Sequence, residues 1–159
     1  MTVVRTVVVV AAALSIEAAA LAQPTLSAAD IEKASGLQGI HTVVATSRGA
    51  VPGRENYADS SGKIVLWFQT MNRNGFARAK GQAARTMNGI EVEPKLYHGA
   101  VAGLGDEAFD SPDGKTQHAL YVRKGDAAFG VISNVDASGK PVVTMDKLKA
   151  IAQAVLARM

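Results

Sequence analysis

The 159-residue chain contains no cysteine. That excludes disulfide staples, thiol nucleophiles, zinc–thiolate centres and iron–sulfur clusters. Aromatic residues are few, with one Trp, three Tyr and four Phe, so each one bears on where the core lies. Strong charge of one sign is also missing. Seventeen Lys and Arg against fourteen Asp and Glu give a formal +3, a mildly basic balance that selects no partner by itself. Nor is there an uninterrupted apolar run long enough to span a bilayer, which takes roughly 20 residues. The longest candidate, residues 6–16, is followed at once by Glu17.

What is present at the N-terminus is a different pattern. Arg5 precedes the Val- and Ala-rich stretch from Thr6 to Ile16, and Ala20-Leu21-Ala22 offers small residues where a signal peptidase reads. The pattern predicts a signal peptide over residues 1–22 and one mature domain over residues 23–159. With no cysteine at the cleavage point, no lipid anchor is expected to remain on the exported form. A chain of that length can bury a core of its own.

The mature region reads as α+β. Ser27 suits a helix N-cap, Asp30 and Glu32 its first turn and Gly36 its end. The β-branched residues after Gly39 predict a strand over 39–48, followed by a polar loop with Gly49, Pro52 and Gly53. The segment ENYADSSGKIVLWFQT, residues 55–70, predicts a hairpin that sets Tyr57 opposite Leu66 or Ile64. Alternation then places Tyr57, Ile64, Leu66 and Phe68 on a core face, with Asn56 and Trp67 on the other. Residues 72–87 predict a helix with Phe76, Ala79, Ala83 and Met87 as its apolar stripe. Residues 89–97 suggest an exposed or edge strand, since Pro94 argues against a central place.

A second hairpin is expected over 116–136, turning at Lys124-Gly125 and opposing Leu120 to Phe129, Tyr121 to Ala128 and Ala119 to Gly130. A last helix over 144–159 has Thr144 as N-cap and Leu148, Ile151, Ala152, Val155 and Leu156 as its stripe. No internal repeat stands out. Together these elements predict an antiparallel sheet with α-helices packed on one face, a two-layer sandwich.

Motifs that carry chemistry are weak. GLGDEAF, residues 103–109, lacks the helix that a phosphate-binding glycine loop must open into, and its two acids would repel a phosphate. Asp106, Glu107, Asp110 and Asp113 provide hard oxygens but not the calcium-loop spacing. The remaining reading is a tight turn entering a strand at Ala108-Phe109. His41, His98 and His118 show no metal-ligand pairing, and no serine sits in a nucleophile elbow. No metal site and no cofactor are expected.

Residues 63–90 carry Lys63, Arg73, Arg78, Lys80 and Arg85 without one acid. On a helix, Arg78 and Arg85 would share one stripe and could meet an anionic partner. Aromatics do not interleave with these bases, so nucleic acid is not an expected partner. Trp67 and Tyr121, falling on one sheet face beside small residues, form the other candidate binding surface.

GLGDEAF, followed by RKGD at residues 123–126 and a closing amphipathic helix, resembles a group of small exported bacterial proteins. Gly103, Gly105, Asp106, Glu107 and Ala108 match their Gly-x-Gly-Asp-Glu-Ala turn, and Arg123, Lys124, Gly125 and Asp126 their hairpin. The resemblance covers roughly the last 60 residues. It implies a PsbP-like curved sheet with helices packed on it, and brings no catalytic residues to carry over. The expectation is a periplasmic or secreted, non-enzymatic binding or accessory module of the cell envelope, with an envelope protein or small ligand as partner. The alternative is a small hydrolase-like enzyme whose site, drawing on Asp106, Glu107 or His118, assembles only on folding.

Overall fold

The computed structural model describes residues 23–44, 51–93, 95–113 and 117–159. The expected leader, residues 1–22, lies outside them, as do Gly49, Pro94 and Thr116.

Helix α1, Ala28–Ser35, begins as its sequence demands. The Ser27 hydroxyl accepts from the Asp30 amide at 3.2 Å while the Asp30 carboxylate accepts from the Ser27 amide at 2.9 Å, the reciprocal box that satisfies two orphan donors. Gly36 ends the helix at φ 74°. Three strands follow as a meander: β1, His41–Val43, β2, Arg54–Ala58, and β3, Ile64–Asn72. Tyr57 opposes Leu66, one of the two expected registers, and a bulge then brings Ala58 opposite Ile64.

Helix α2, Arg73–Gly81, starts where the Asn72 side chain accepts from the Gly75 amide at 2.9 Å. It stops six residues short of the expected end. Arg85–Met87 instead forms strand β4, paired with β5, Ile90–Glu93. The Asn88-Gly89 dipeptide decides this: both residues have positive φ, 54° and 77°, the geometry of a type I′ hairpin turn. Ala83 and Met87 are consequently exposed rather than part of an apolar stripe.

The second meander comprises β6, Gly99–Ala100, β7, Glu107–Asp113, β8, Gln117–Lys124, and β9, Ala127–Asn134. It returns β9 alongside β3, giving a seven-stranded antiparallel sheet of order β1-β2-β3-β9-β8-β7-β6. The β8–β9 register is two residues from the expected one. Leu120 opposes Val131, Tyr121 opposes Gly130 and Ala119 opposes Ile132. The turn is Gly125-Asp126, with Gly125 at φ 60° in the first central position, where a type II′ turn wants glycine. A slip of two leaves every side chain on its expected face, so apolar alternation could not detect it.

A short repeat also emerges. Asp59-Ser-Ser-Gly-Lys63 and Asp136-Ala-Ser-Gly-Lys140 are the same turn built twice. In each, one Asp carboxylate oxygen accepts from the Ser amide, the Ser hydroxyl and the Lys amide. Each Gly sits near φ 80°. The Ser hydroxyl is the main cause that holds each carboxyl below its usual range.

The α+β class and the antiparallel sheet are as expected. Helix α3, Met145–Leu156, lies with α1 on one face, burying Leu148, Ile151, Ala152 and Val155 against Leu120, Val122, Phe129 and Val131. The expectation that all helices share this face does not hold for α2. Its buried Phe76 joins Phe109, Ala119, Tyr121, Ala128 and Ile132 on the opposite side, because the strand positions there already present rings that need cover. At the far corner, Arg158 donates to both Asp30 oxygens at 3.0 Å and to the Thr25 carbonyl at 2.8 Å. That clamp ties α1 to the chain's last turn.

Candidate functional site

Phe76 directs one side of α2 inward. Its ring meets Phe109 edge-on at 5.2 Å, and Phe109 stacks on Tyr121 at 4.8 Å and tilts against Tyr97 at 5.7 Å. With that side committed, Arg73, Ala77 and Lys80, spaced four and three residues apart, form one outer edge. They face the end of the sheet where Glu107 and Arg123 are register partners. Between the helix and these strands lies an open cleft of about 500 Å³, with Phe76 and Gly81 completing its wall.

The strand side of the cleft is built by the GLGDEAF turn. Gly105 has φ 59°, and a Cβ there would stand 2.4 Å from the Arg123 carbonyl oxygen, so only glycine allows the approach. The Asp106 amide then donates to that carbonyl at 2.8 Å. The Asp106 carboxylate accepts from the Gly125 amide at 2.7 Å and from the Arg123 guanidinium at 3.3 Å. The turn and the RKGD hairpin are thus hydrogen-bonded to one another, and the expected structural role of the turn is what these contacts describe.

Glu107, the next residue, faces the cleft. One of its oxygens accepts from the Lys80 ammonium and the other lies 3.5 Å from Arg123. The bond from Lys80 is the main cause that lowers the Glu107 carboxyl, and the bond to Glu107 is the main cause that raises the Lys80 ammonium. Lys80 also sits 5.5 Å over the Tyr97 ring. Arg123 divides its guanidinium between Asp106, Glu107 and the Gly125 carbonyl. The Arg73 guanidinium takes no ion-pair partner among the described residues.

Of the two expected binding surfaces, Trp67 and Tyr121 do share one sheet face and one cluster, but Arg78 and Arg85 are not brought together. Arg78 is exposed on α2 but lies off the cleft lining, and Arg85 is on β4, past the helix end. The stripe they were to share does not exist, since α2 ends at Gly81. Tyr121 is buried under Phe109, its ring crossing Gly130, where a Cβ would meet it at 2.9 Å. Trp67 is half-buried on the same sheet face, opposite Ile132, with the Arg54 guanidinium 5.8 Å from its ring centre.

Among the described residues, no three His, Asp or Glu side chains gather in an arrangement that could hold a metal ion. Asp106 is committed to the hairpin turn and Asp110 lies 3.6 Å from exposed His98. The Asp113 side chain lies outside the described ones. No helix among the described residues is long and apolar enough to cross a membrane. Comparison with protein-family models, curated proteins and solved structures finds no match.

Proposed function

We propose that the protein is an exported binding or accessory module of a bacterial cell envelope, and that the cleft beside α2 is its ligand site. One observation carries this reading: Glu107, on the cleft, is ion-paired with Lys80 and lies 3.5 Å from Arg123, and the Lys80–Glu107 bond keeps both of its partners charged. Glu107 is pushed down and Lys80 up by their mutual bond. A proton-transfer catalyst instead needs a group that titrates near the working pH. Fixed charges beside the exposed Ala77 methyl and the Gly81 backbone suit recognition. The export part rests on Arg5, the apolar stretch and Ala20-Leu21-Ala22, and on the turn and hairpin resembling those of small exported proteins.

Two measurements test the reading. Mass spectrometry of the protein recovered from the periplasm should give a form that begins at Gln23. A photo-reactive benzophenone amino acid placed at exposed Ala77, on the cleft, should give discrete adducts with an envelope component in living cells. The same group at exposed Gln153, on α3, should not. Equal adduct patterns from the two positions, or none from Ala77, would contradict a ligand site beside α2.

A further inference from the structure

We infer that the cleft beside α2 takes a small organic anion in which one acidic group is joined to a flat apolar body. The inference rests on that cleft being the ligand site and adds what fills it. Three cations and one carboxylate line the space: Arg73, Lys80 and Arg123 against Glu107. Glu107 has both oxygens engaged, by Lys80 and by Arg123. Asp106, just outside the lining, draws on Arg123 as well. After these pairings, Arg73 is the cation of the lining whose guanidinium takes no ion-pair partner among the described residues. Its planar fork suits a carboxylate or a phosphate ester, which it can grip with two parallel hydrogen bonds.

The rest of the cleft is larger than an acid group needs. At about 500 Å³ it falls within the range of small-molecule sites, roughly 300–1,000 Å³. The remaining wall is exposed Ala77 and the bare backbone of Gly81, with Phe76 buried behind them and Lys80 lying over the Tyr97 ring. A ring or short apolar chain can lie along Ala77 and Gly81 while its acid reaches Arg73. A bare inorganic anion would leave that surface wet, and a neutral aromatic would leave the guanidinium unanswered. Because the cleft is open, water competes for Arg73, and affinities on the order of 0.1–1 mM are expected for minimal probes.

The test is a titration of the 15N-labelled mature protein at low salt, read by amide chemical shifts. Benzoate and phenyl phosphate are the probes for the two acid types, with acetate and benzyl alcohol as controls for each half of the ligand. The inference predicts that at least one aromatic acid shifts the amides of residues 73–81 and of Arg123 as one saturable site. Acetate should bind at least ~10-fold more weakly, and benzyl alcohol should not saturate. Arg73→Ala should lose ~10-fold or more in affinity, Arg73→Lys less, and Arg78→Ala, off the cleft, nothing measurable. Whichever acid binds tighter identifies the headgroup. Arg73 is exposed, and an unchanged amide spectrum confirms that its variants are folded. Shifts scattered over all surface cations, or equal effects of Arg73→Ala and Arg78→Ala, would overturn the inference. If the Ala77 adducts form but no aromatic acid binds, the ligand class falls and the binding-module reading stands. If the acids bind without Ala77 adducts, the ligand class holds and that reading falls.

Discussion

The two faces of the seven-stranded sheet are built from alternate residues of the same strands, yet they are finished differently. On one, Leu120, Val122, Phe129 and Val131 are sealed by α3, which buries four residues, and by α1, which adds Ile31. On the other, a smaller cluster dominated by Phe76, Phe109 and Tyr121 is covered by α2, which buries only Phe76. Among the described residues, the first face buries no charged group. The aromatic face carries Arg73, Lys80, Glu107 and Arg123 at its rim. Buried area sets the stability of the first face. The second gives up some cover and presents charge.

Core truncation should separate the two faces by the widest margin. Phe129 is fully buried and packs on Phe68 at 5.6 Å, so Phe129→Ala should cost about 3–5 kcal/mol in urea unfolding. Phe76→Ala should cost about 2 kcal/mol, because α2 can shift or peel away where the sealed face cannot. Equal costs would mean that α2 is held as firmly as α3.

Two glycines of one turn sharpen the picture next. Gly103, at φ 79°, has open space where a Cβ would point, whereas at Gly105 the Cβ would collide with the Arg123 carbonyl. Gly103→Ala should therefore cost only the left-handed strain, about 1 kcal/mol. Gly105→Ala adds a backbone collision and should cost about 2–4 kcal/mol. Similar values for the two would show that the turn does not clasp the hairpin.

Much of this was readable from residues. Ser27 and Gly36 marked the ends of α1, and the Leu148–Val155 stripe marked what α3 buries. The faces of both hairpins followed from alternation, except where the bulge beside Ala58 brings Val65 rather than Ile64 into the core. The β8–β9 register did not, because a shift of two conserves the faces and only the turn preference of Gly125 distinguishes the alternatives. Met87 continued the helical spacing of Phe76 and Ala79, yet Asn88-Gly89 was the stronger local signal and turned the chain. The cleft was beyond reach for another reason. Lys80 and Glu107 are 27 residues apart, and only the return of β7 and β8 beside α2 brings them together. The acid-free stretch from Lys63 to Ile90 did hint that cations would gather there.

A smaller effect belongs to the sealed side. Partial burial raises the Asp30 carboxyl, but the bonds from Arg158 and Ser27 outweigh it and hold the group at about 2. A carboxyl depressed in the folded state contributes stability that is present above its unfolded value near 3.8 and is lost as pH falls toward 2. Arg158 is partly exposed, so the contribution is on the order of 1 kcal/mol. Comparing urea unfolding at pH 7 and pH 3, Arg158→Ala should reduce stability at pH 7 and flatten its fall toward pH 3. An unchanged pH profile would mean that the clamp carries no weight.

Native-state amide hydrogen exchange tests the difference between the faces most directly. Ile151, Ala152 and Val155 in α3 should exchange only through global unfolding. In α2, Ala77 to Gly81 should exchange through a local opening at least ~2 kcal/mol less costly, while the β3, β8 and β9 amides stay protected. Protection in α2 equal to that in α3 would show the opposite, a charged rim resting on a layer as tightly held as the core.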